Sequence, residues 1–201
     1  MSDLPLRGSL IALDVIALDI PDVKLIRPSR FRDARGFFSE IYNQQNFAVA
    51  GISVDFVQDN FSLSGPVGTI RGLHFQLPPK AQAKLVMVLQ GRALDVVVDC
   101  RRGSPSYGRH VSVELSGDTW TQVFVPVGFA HGFCTLEPDT MVLYKVSAPY
   151  APELDSGILW DDPDLGIPWP VTAETAALSD KDKRLPRLRD FGAPFTYPSP
   201  P

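Results

Sequence analysis

Three histidines, two cysteines and three methionines are all that 201 residues provide of the side chains that most often carry metal, redox and neutral-pH proton chemistry. Cys100 and Cys134 lie in apolar, strand-like surroundings without CxxC spacing. They read as buried thiols rather than a disulfide, a dithiol motif or a nucleophile. A mononuclear metal site in a small β-protein needs several histidines and carboxylates converging, commonly two histidines one residue apart on a strand face. His74 has Gln76 in that place, and His110, in Tyr107-Gly108-Arg109-His110, reads as an exposed strand start. No metal is expected.

Long runs of one kind are also missing. No basic block offsets a net charge of -4 and a pI near 5.3, which argues against a nucleic-acid partner. No window reaches the roughly 18 uninterrupted apolar residues of a membrane span. The opening stretch is broken by Asp14 and Asp19 and lacks a basic leader with a small-residue cleavage pattern, so a cytoplasmic protein is expected. There is no GxGxxG or Walker loop. A bound anion would be held by side chains, with Arg35, Arg71 and Lys84 as candidates.

What the chain does contain is short apolar and alternating runs. They cover Val54 to Val57, Lys84 to Leu89, Ala93 to Cys100, His110 to Leu115, Gln122 to Val125 and Met141 to Val146, each bounded by Gly, Pro, Ser or Asp. Such spacing describes an all-β sandwich or barrel of hairpins. Helical pattern is scarce, the best stretch being Ala173 to Lys183. One domain over 1–201 is expected. Residues 1–30 would form an N-terminal arm and edge strands, and residues 150–201 a proline-stiffened C-terminal wrap whose last residues could fray, ten of the 19 prolines falling from Pro149 onward. Leu10 to Leu18 would form a strand that covers its own sheet edge or crosses to a partner, which makes a dimer an expectation.

Several residues could carry chemistry. If Thr69 to Gln76 is extended, Ile70, Gly72, His74 and Gln76 share one face and Arg71, Leu73 and Phe75 the other. A histidine beside an anion-binding guanidinium is suited to proton transfer near neutral pH. His131, flanked by Gly128 and Gly132 just beyond a strand, is either presented inward by a sharp turn or is a loop histidine without a task. Asp95 and Asp99 share the parity of Val97. Each could orient a histidine or pair with Arg101 or Arg102, and the ion pair is the better reading for Asp99. Tyr144 is either a core tyrosine or a proton donor facing His74 across a ligand.

Seven ordered segments extend from about Phe31 to Asp182: RFRDARGFFSEIYNQQNF, VDFVQDNFSLS, RGLHFQ, AQAKLVMVLQGRALDVVVDCRRGSPSYG, VFVPVGFAHGFCTL, VLYKVSAPYAPELDSGILWDDPDLGIPWP and LSDKD. In these segments the chain resembles the dTDP-4-dehydrorhamnose 3,5-epimerase family of nucleotide-sugar enzymes. The resemblance implies a cupin-like jelly-roll barrel (a double-stranded β-helix) with an N-terminal strand arm and a short C-terminal helical wrap. It implies no cofactor and a homodimer with an exchanged N-terminal strand. It also implies His74 as the base, Asp182 as the carboxylate paired with it and Tyr144 as the acid on the opposite face of the sugar. Arg35, Glu40, Gln58, Asp59, Asn60, Arg71, Lys84, His131, Asp155 and Lys181 match the substrate-binding set. Asp155 stands where some relatives carry glutamate, a shorter reach. The reaction implied is epimerisation at C3 and C5 of dTDP-4-dehydro-6-deoxy-D-glucose to dTDP-4-dehydro-L-rhamnose, through proton abstraction α to the C4 ketone. The rivals are a C3-only epimerase of a related deoxysugar and a non-catalytic sugar-binding jelly roll.

Overall fold

The structure is a computed structural model that describes residues 13–192 and 195–197. In chain order its strands are β1 (Asp14–Ala17), β2 (Lys24–Arg27), β3 (Phe31–Asp33), β4 (Gly36–Phe38), β5 (Gln58–Ser64), β6 (Ile70–Gln76), β7 (Lys84–Gln90), β8 (Arg92–Asp99), β9 (Arg101–Arg102), β10 (His110–Ser116), β11 (Gln122–Val125), β12 (Phe129–Thr135), β13 (Thr140–Val146), β14 (Asp155–Gly157) and β15 (Phe195–Thr196). Among the described residues the single α-helix is α1 (Gln44–Val49), which the sequence did not lead us to expect. The Asn43 side chain accepts from the backbone N–H groups of Gln45 and Asn46 and starts it.

Two antiparallel sheets carry the architecture. One runs β1-β2-β11-β7-β13-β5 and the other β10-β8-β12-β6-β14. Alternation along the strands explains why they stack. Val86, Val88, Val123, Val125 and Val142 from the first sheet meet Val97, Val111, Leu115, Phe129 and Phe133 from the second in one buried core. The opposite face of β8, β12 and β6 (Val96, Val98, Cys100, Ala130, Leu73 and Phe75) is covered by Ile158, Leu165, Leu188 and Phe195 of the C-terminal wrap. Phe47 of α1 helps cover the outer face of the other sheet, against Ile26, Leu85 and Phe124.

The expected closed barrel is not formed. Among the described residues each sheet has two open ends, β1 and β5 in one, β10 and β14 in the other. Closure needs a hydrogen-bonded ladder joining those edges, whereas the two sheets share only the side-chain core. The sandwich is therefore the arrangement that holds. The helix expected over Ala173 to Lys183 is absent as well. Ile70 N–H donates to the Ala177 carbonyl and Ala177 N–H donates to the Gly68 carbonyl, so at its centre this backbone bridges to the start of β6, and its own bonds make only isolated turns on either side. Only a 3-10 turn, Asp182–Arg184, follows. Val54 to Val57 is not a strand either, for pairing with β13 begins at Gln58.

Of the expected N-terminal strand, Asp14–Ala17 pairs antiparallel with Lys24–Arg27 of the same chain. Residues 1–12 of the arm and 198–201 of the tail lie outside the described residues. No helix among the described residues is long and apolar enough to cross a membrane.

The pairing of β6 with β12 contains one irregularity on which the site depends. His74 faces His131 and Arg71 faces Phe133, so three steps on β6 match two on β12. The extra residue is a β-bulge. Gly72 sits there at φ +136, and a Cβ on it would lie 2.5 Å from Gly132 Cα and 2.9 Å from the His131 carbonyl oxygen. Gly72→Ala should therefore cost about 2–4 kcal/mol. Thermal unfolding should show Tm lower by about 5–15 °C; an unchanged Tm would mean that the strands can separate there freely.

Candidate active site

Between the sheets lies a cavity of about 530 Å³, lined among others by Ser62, Arg71, His74, Lys84, His131, Phe133, Tyr144, Lys181 and Asp182. A second lobe of about 280 Å³ shares His74, Lys84, Tyr144 and Lys181 with it and adds Gln58, Asn60, Gln76, Tyr150 and Asp155. The four shared residues form the waist of one continuous cleft.

Strand β5 explains why the cleft is polar. Gln58, Asn60 and Ser62 face it and Ser64 accepts from Arg71, while Phe61 and Leu63 point out and are more than half exposed or nearly so, at 57% and 50%. This inverts the usual pattern of apolar-in and polar-out. The inversion is the sequence signal that would have drawn attention to Ser62, which the sequence reading left out.

Simple parity placed Arg71 and His74 on opposite faces, and the bulge overturns that. Arg71 and His74 both line the cavity, while Leu73 and Phe75 are buried in the outer cluster, and Ile70, which also borders the cavity, packs with Cys134 and Trp160. Arg71 donates from Nε to Ser64 Oγ at 3.1 Å and from a terminal nitrogen to the Leu63 carbonyl at 3.3 Å.

His74 Nε2 lies 2.5 Å from Asp182 Oδ1, across 108 residues of sequence. Asp182 is brought there by the bridge at Ala177, and its backbone N–H donates to Ser179 Oγ at 3.1 Å. Burial alone would raise the Asp182 carboxyl, but the hydrogen bond and charge of His74, with help from Ser179 and Lys181, outweigh it and hold the group below the ordinary carboxylate range. With an ionised carboxylate accepting from Nε2–H, Nδ1 of His74 is left with its lone pair. Of the two tasks open to Asp95, orienting a histidine or pairing with an arginine, the structure shows the first, but the histidine is not His74.

Asp95 instead accepts from His131 Nε2 at 2.8 Å. His131 itself lies inside β12 rather than in a turn beyond a strand, so strand alternation and not loop geometry turns its ring inward. Asp99 behaves as the ion-pair reading expected. It takes Arg101 Nε at 2.9 Å, a terminal Arg101 nitrogen at 2.7 Å, and the hydroxyls of Ser104 and Ser106 at 2.6 and 2.7 Å.

From the opposite sheet come Lys84 on β7 and Tyr144 on β13. Lys84 is buried and donates to the His74 carbonyl at 3.1 Å. Burial pushes its ammonium down to about 8, Lys181 adds to that, and the charges of Asp155 and Asp95 partly offset it. Burial raises the Tyr144 phenol, Arg71 works against that and Asp155 with it, so the hydroxyl keeps its proton at neutral pH. Asp155 accepts from the Tyr150 hydroxyl at 3.1 Å and is ion-paired with Lys181. Tyr150, in a proline-rich stretch without periodicity, had no sequence signal beyond its motif.

Three residues of the expected binding set lie outside the cleft of this chain. Arg35 is paired with Asp33 on the exposed β3–β4 hairpin, Glu40 accepts from Asn43 and Asn46 beside α1, and Asp59 points out from β5 to Lys145. The other seven, Gln58, Asn60, Arg71, Lys84, His131, Asp155 and Lys181, converge on it with His74, Tyr144 and Asp182.

Known proteins share both sequence and shape with this chain. The family model described as dTDP-4-dehydrorhamnose 3,5-epimerase matches residues 17–190. A dTDP-4-dehydrorhamnose 3,5-epimerase of Sinorhizobium fredii is 52% identical over 181 residues, covering 90% of this chain and 92% of that protein. The crystal structure of the enzyme of that name from Bacillus anthracis, with TDP and PPi bound, is 52% identical and superposes with a TM-score of 0.85 over 88% of this chain and 99% of that one. A dTDP-6-deoxy-D-glucose-3,5-epimerase from Legionella pneumophila, in complex with dTDP-4-keto-L-rhamnose, is 40% identical with a TM-score of 0.88 over 93% and 100% of the two chains. With a match that spans both sheets and every residue of the cleft, the chain belongs to the dTDP-4-dehydrorhamnose 3,5-epimerase family.

Proposed function

We infer that the chain is an isomerase that epimerises C3 and C5 of a dTDP-linked 4-keto-6-deoxyhexose in dTDP-L-rhamnose biosynthesis, converting dTDP-4-dehydro-6-deoxy-D-glucose to dTDP-4-dehydro-L-rhamnose. The observation that carries the assignment of roles is that His74 and Tyr144 project into one cleft from opposed sheets. A sugar ring held between them meets a base on one face and an acid on the other.

The C4 ketone acidifies the C–H bonds at C3 and C5. His74 Nδ1 takes the proton, and Asp182 stabilises the imidazolium that results. Charge then develops on O4. The Lys84 ammonium, the buried cation at the waist, meets that charge. Tyr144 returns a proton from the other side, which inverts the carbon. Arg71 suits the diphosphate, because a guanidinium pairs with two phosphoryl oxygens at once. Gln58, Asn60, Asp155 and Lys181 line the second lobe and bind the rest of the nucleotide sugar.

Protein made with His74→Ala should incorporate no solvent deuterium at C3 or C5 while keeping its fold, and Tyr144→Phe should let exchange outlast inversion. Proton NMR of the sugar in deuterium oxide reads both. Exchange surviving in the first variant, or full epimerisation by the second, would remove those roles; label at C3 alone in the wild type would point to a C3-only epimerase, and none at all to a binding protein. The rate should also depend on Lys84. Because its ammonium is half lost near pH 8, kcat/KM should fall as pH rises through that value, and Lys84→Arg, which keeps its charge, should lack that alkaline limb.

We further infer a cytoplasmic homodimer of one-domain chains with an exchanged N-terminal strand. The open edge of β5, with Phe61 and Leu63 exposed, and the exposed Phe37 and Phe38 on the β3–β4 hairpin support a covered surface in the working enzyme. A dimer also offers Arg35 and Glu40 a route to a cleft that they do not line in their own chain. Light scattering on a chain lacking residues 1–12, which leaves β1 and the buried Ile20 in place, should show a weakened dimer. An undiminished dimer would take the arm out of the account.

A further inference from the structure

Gln76 takes no part in the proton transfers assigned to the cleft, although it stands two residues from His74 on β6 and borders the second lobe with it. In sequence it occupies the position where a metal-holding strand would carry a second histidine. Its side chain is buried, at 3% exposure, and is directed at backbone. Both amide hydrogens are donated, one to the Lys80 carbonyl and one to the Pro149 carbonyl at 3.1 Å, and Oε1 accepts from Ala151 N–H at 2.9 Å. With no hydrogen left to give, the amide cannot donate to a ligand.

The bonds to Pro149 and Ala151 bracket a single residue, Tyr150. Two further glutamines hold the same segment: Gln58 Oε1 accepts from Tyr150 N–H at 3.0 Å, and Gln82 Nε2 donates to the Ala148 carbonyl at 2.8 Å. Residues 148–151 belong to neither strand nor helix, so side chains satisfy backbone groups that a ladder would otherwise pair. The large side chain they carry is the Tyr150 ring, 56% exposed, which walls the second lobe but not the first and donates its hydroxyl to Asp155. Connecting segments are ordinarily the mobile part of a site. Three glutamines on one such segment fix that wall before any ligand arrives.

We infer that Gln76 is a positioning residue that holds Tyr150 as a preformed wall of the second lobe, and so sets affinity for the nucleotide end of the substrate rather than the rate of proton transfer. This rests on the reading of the second lobe as the nucleotide side of the epimerase cleft. With the backbone fixed on both sides of Tyr150, the ordering of the segment is completed in folding and does not weaken binding. Loss of the amide would leave two carbonyls and an N–H without their partner and would release the ring. The base is held by another route, since the His74 ring is oriented by Asp182 from the C-terminal wrap.

Gln76→Met, which keeps the length of the side chain and removes its amide, tests the inference in the full chain. Calorimetric titration with dTDP and steady-state kinetics on dTDP-4-keto-6-deoxyglucose should show Kd and KM raised about 10- to 100-fold, with kcat within about threefold of wild type. In a Tyr150→Ala background the same substitution should change the dTDP Kd by less than about twofold, because the ring through which it acts is gone. A fall in kcat at unchanged Kd, or an undiminished effect of Gln76→Met without the ring, overturns the inference. Hydrogen exchange on wild type needs no variant to fold. The Ala151 amide should be protected in the ligand-free protein and gain little from dTDP; an amide that exchanges freely until dTDP is added overturns the inference too. Failure of the wild type to bind dTDP would strike the nucleotide reading of the lobe, whereas free exchange at Ala151 in a protein that binds dTDP strikes the role of Gln76 alone.

Discussion

Gly72 lies so close to Gly132 that no side chain fits between β6 and β12, and at that contact β6 takes one residue more than its partner. Much of the cleft follows from this single surplus residue. Leu73 and Phe75 stay on the outer face, where they pack beneath the wrap. Arg71 and His74 are both turned inward. A regular strand would have sent the guanidinium to the side opposite the imidazole, and the cavity would have had a base without its anion-binding neighbour.

The same sheet is loaded from outside. The C-terminal wrap buries apolar side chains against β6, β8 and β12, and the backbone bridge at Ala177 brings Asp182 to the inner side of β6. Packing and chemistry are thus linked, because the segment that seals the outer core of the sheet also delivers the carboxylate that orients His74. The second sheet supplies a buried ammonium and a phenol that burial keeps protonated. Groups that must work from opposite sides of a flat ligand are held on separate rigid sheets, so their separation is set by the thickness of the sandwich core rather than by mobile loops.

The cleft also shows how burial sorts similar residues into different tasks. Asp99 is satisfied by its neighbours and braces the loop after β8. Asp182 is held charged by a histidine, and Asp95 is left with an empty oxygen beside the cavity. Three carboxylates with comparable burial therefore have three different surroundings, set by how many donors each one meets.

The strands β6, β7, β8, β10, β11 and β13 were legible from the sequence, since period-two alternation and turn residues are local properties of a chain whose sheets bury one face. The ion pair of Asp99 with Arg101 was legible for the same reason, as the two are neighbours along the strand. The motif segments around His74, Tyr144 and LSDKD carried the family and its chemistry, and with them the expectation of His74 beside Asp182. Other features depended on tertiary structure. Parity misplaced Arg71 because the bulge is created by the partner strand, and the wrap denied Ala173 to Lys183 its helix by offering the backbone other partners. Open sheets rather than a closed barrel, the pairing of Asp95 with His131 and the outward turn of Asp59 arise from contacts between strands far apart in the chain. Local pattern determined which residues could be strands and which could do chemistry; only the packing of the two sheets decided which of them share the cleft, because side-chain direction along a strand is fixed by its register with a neighbour.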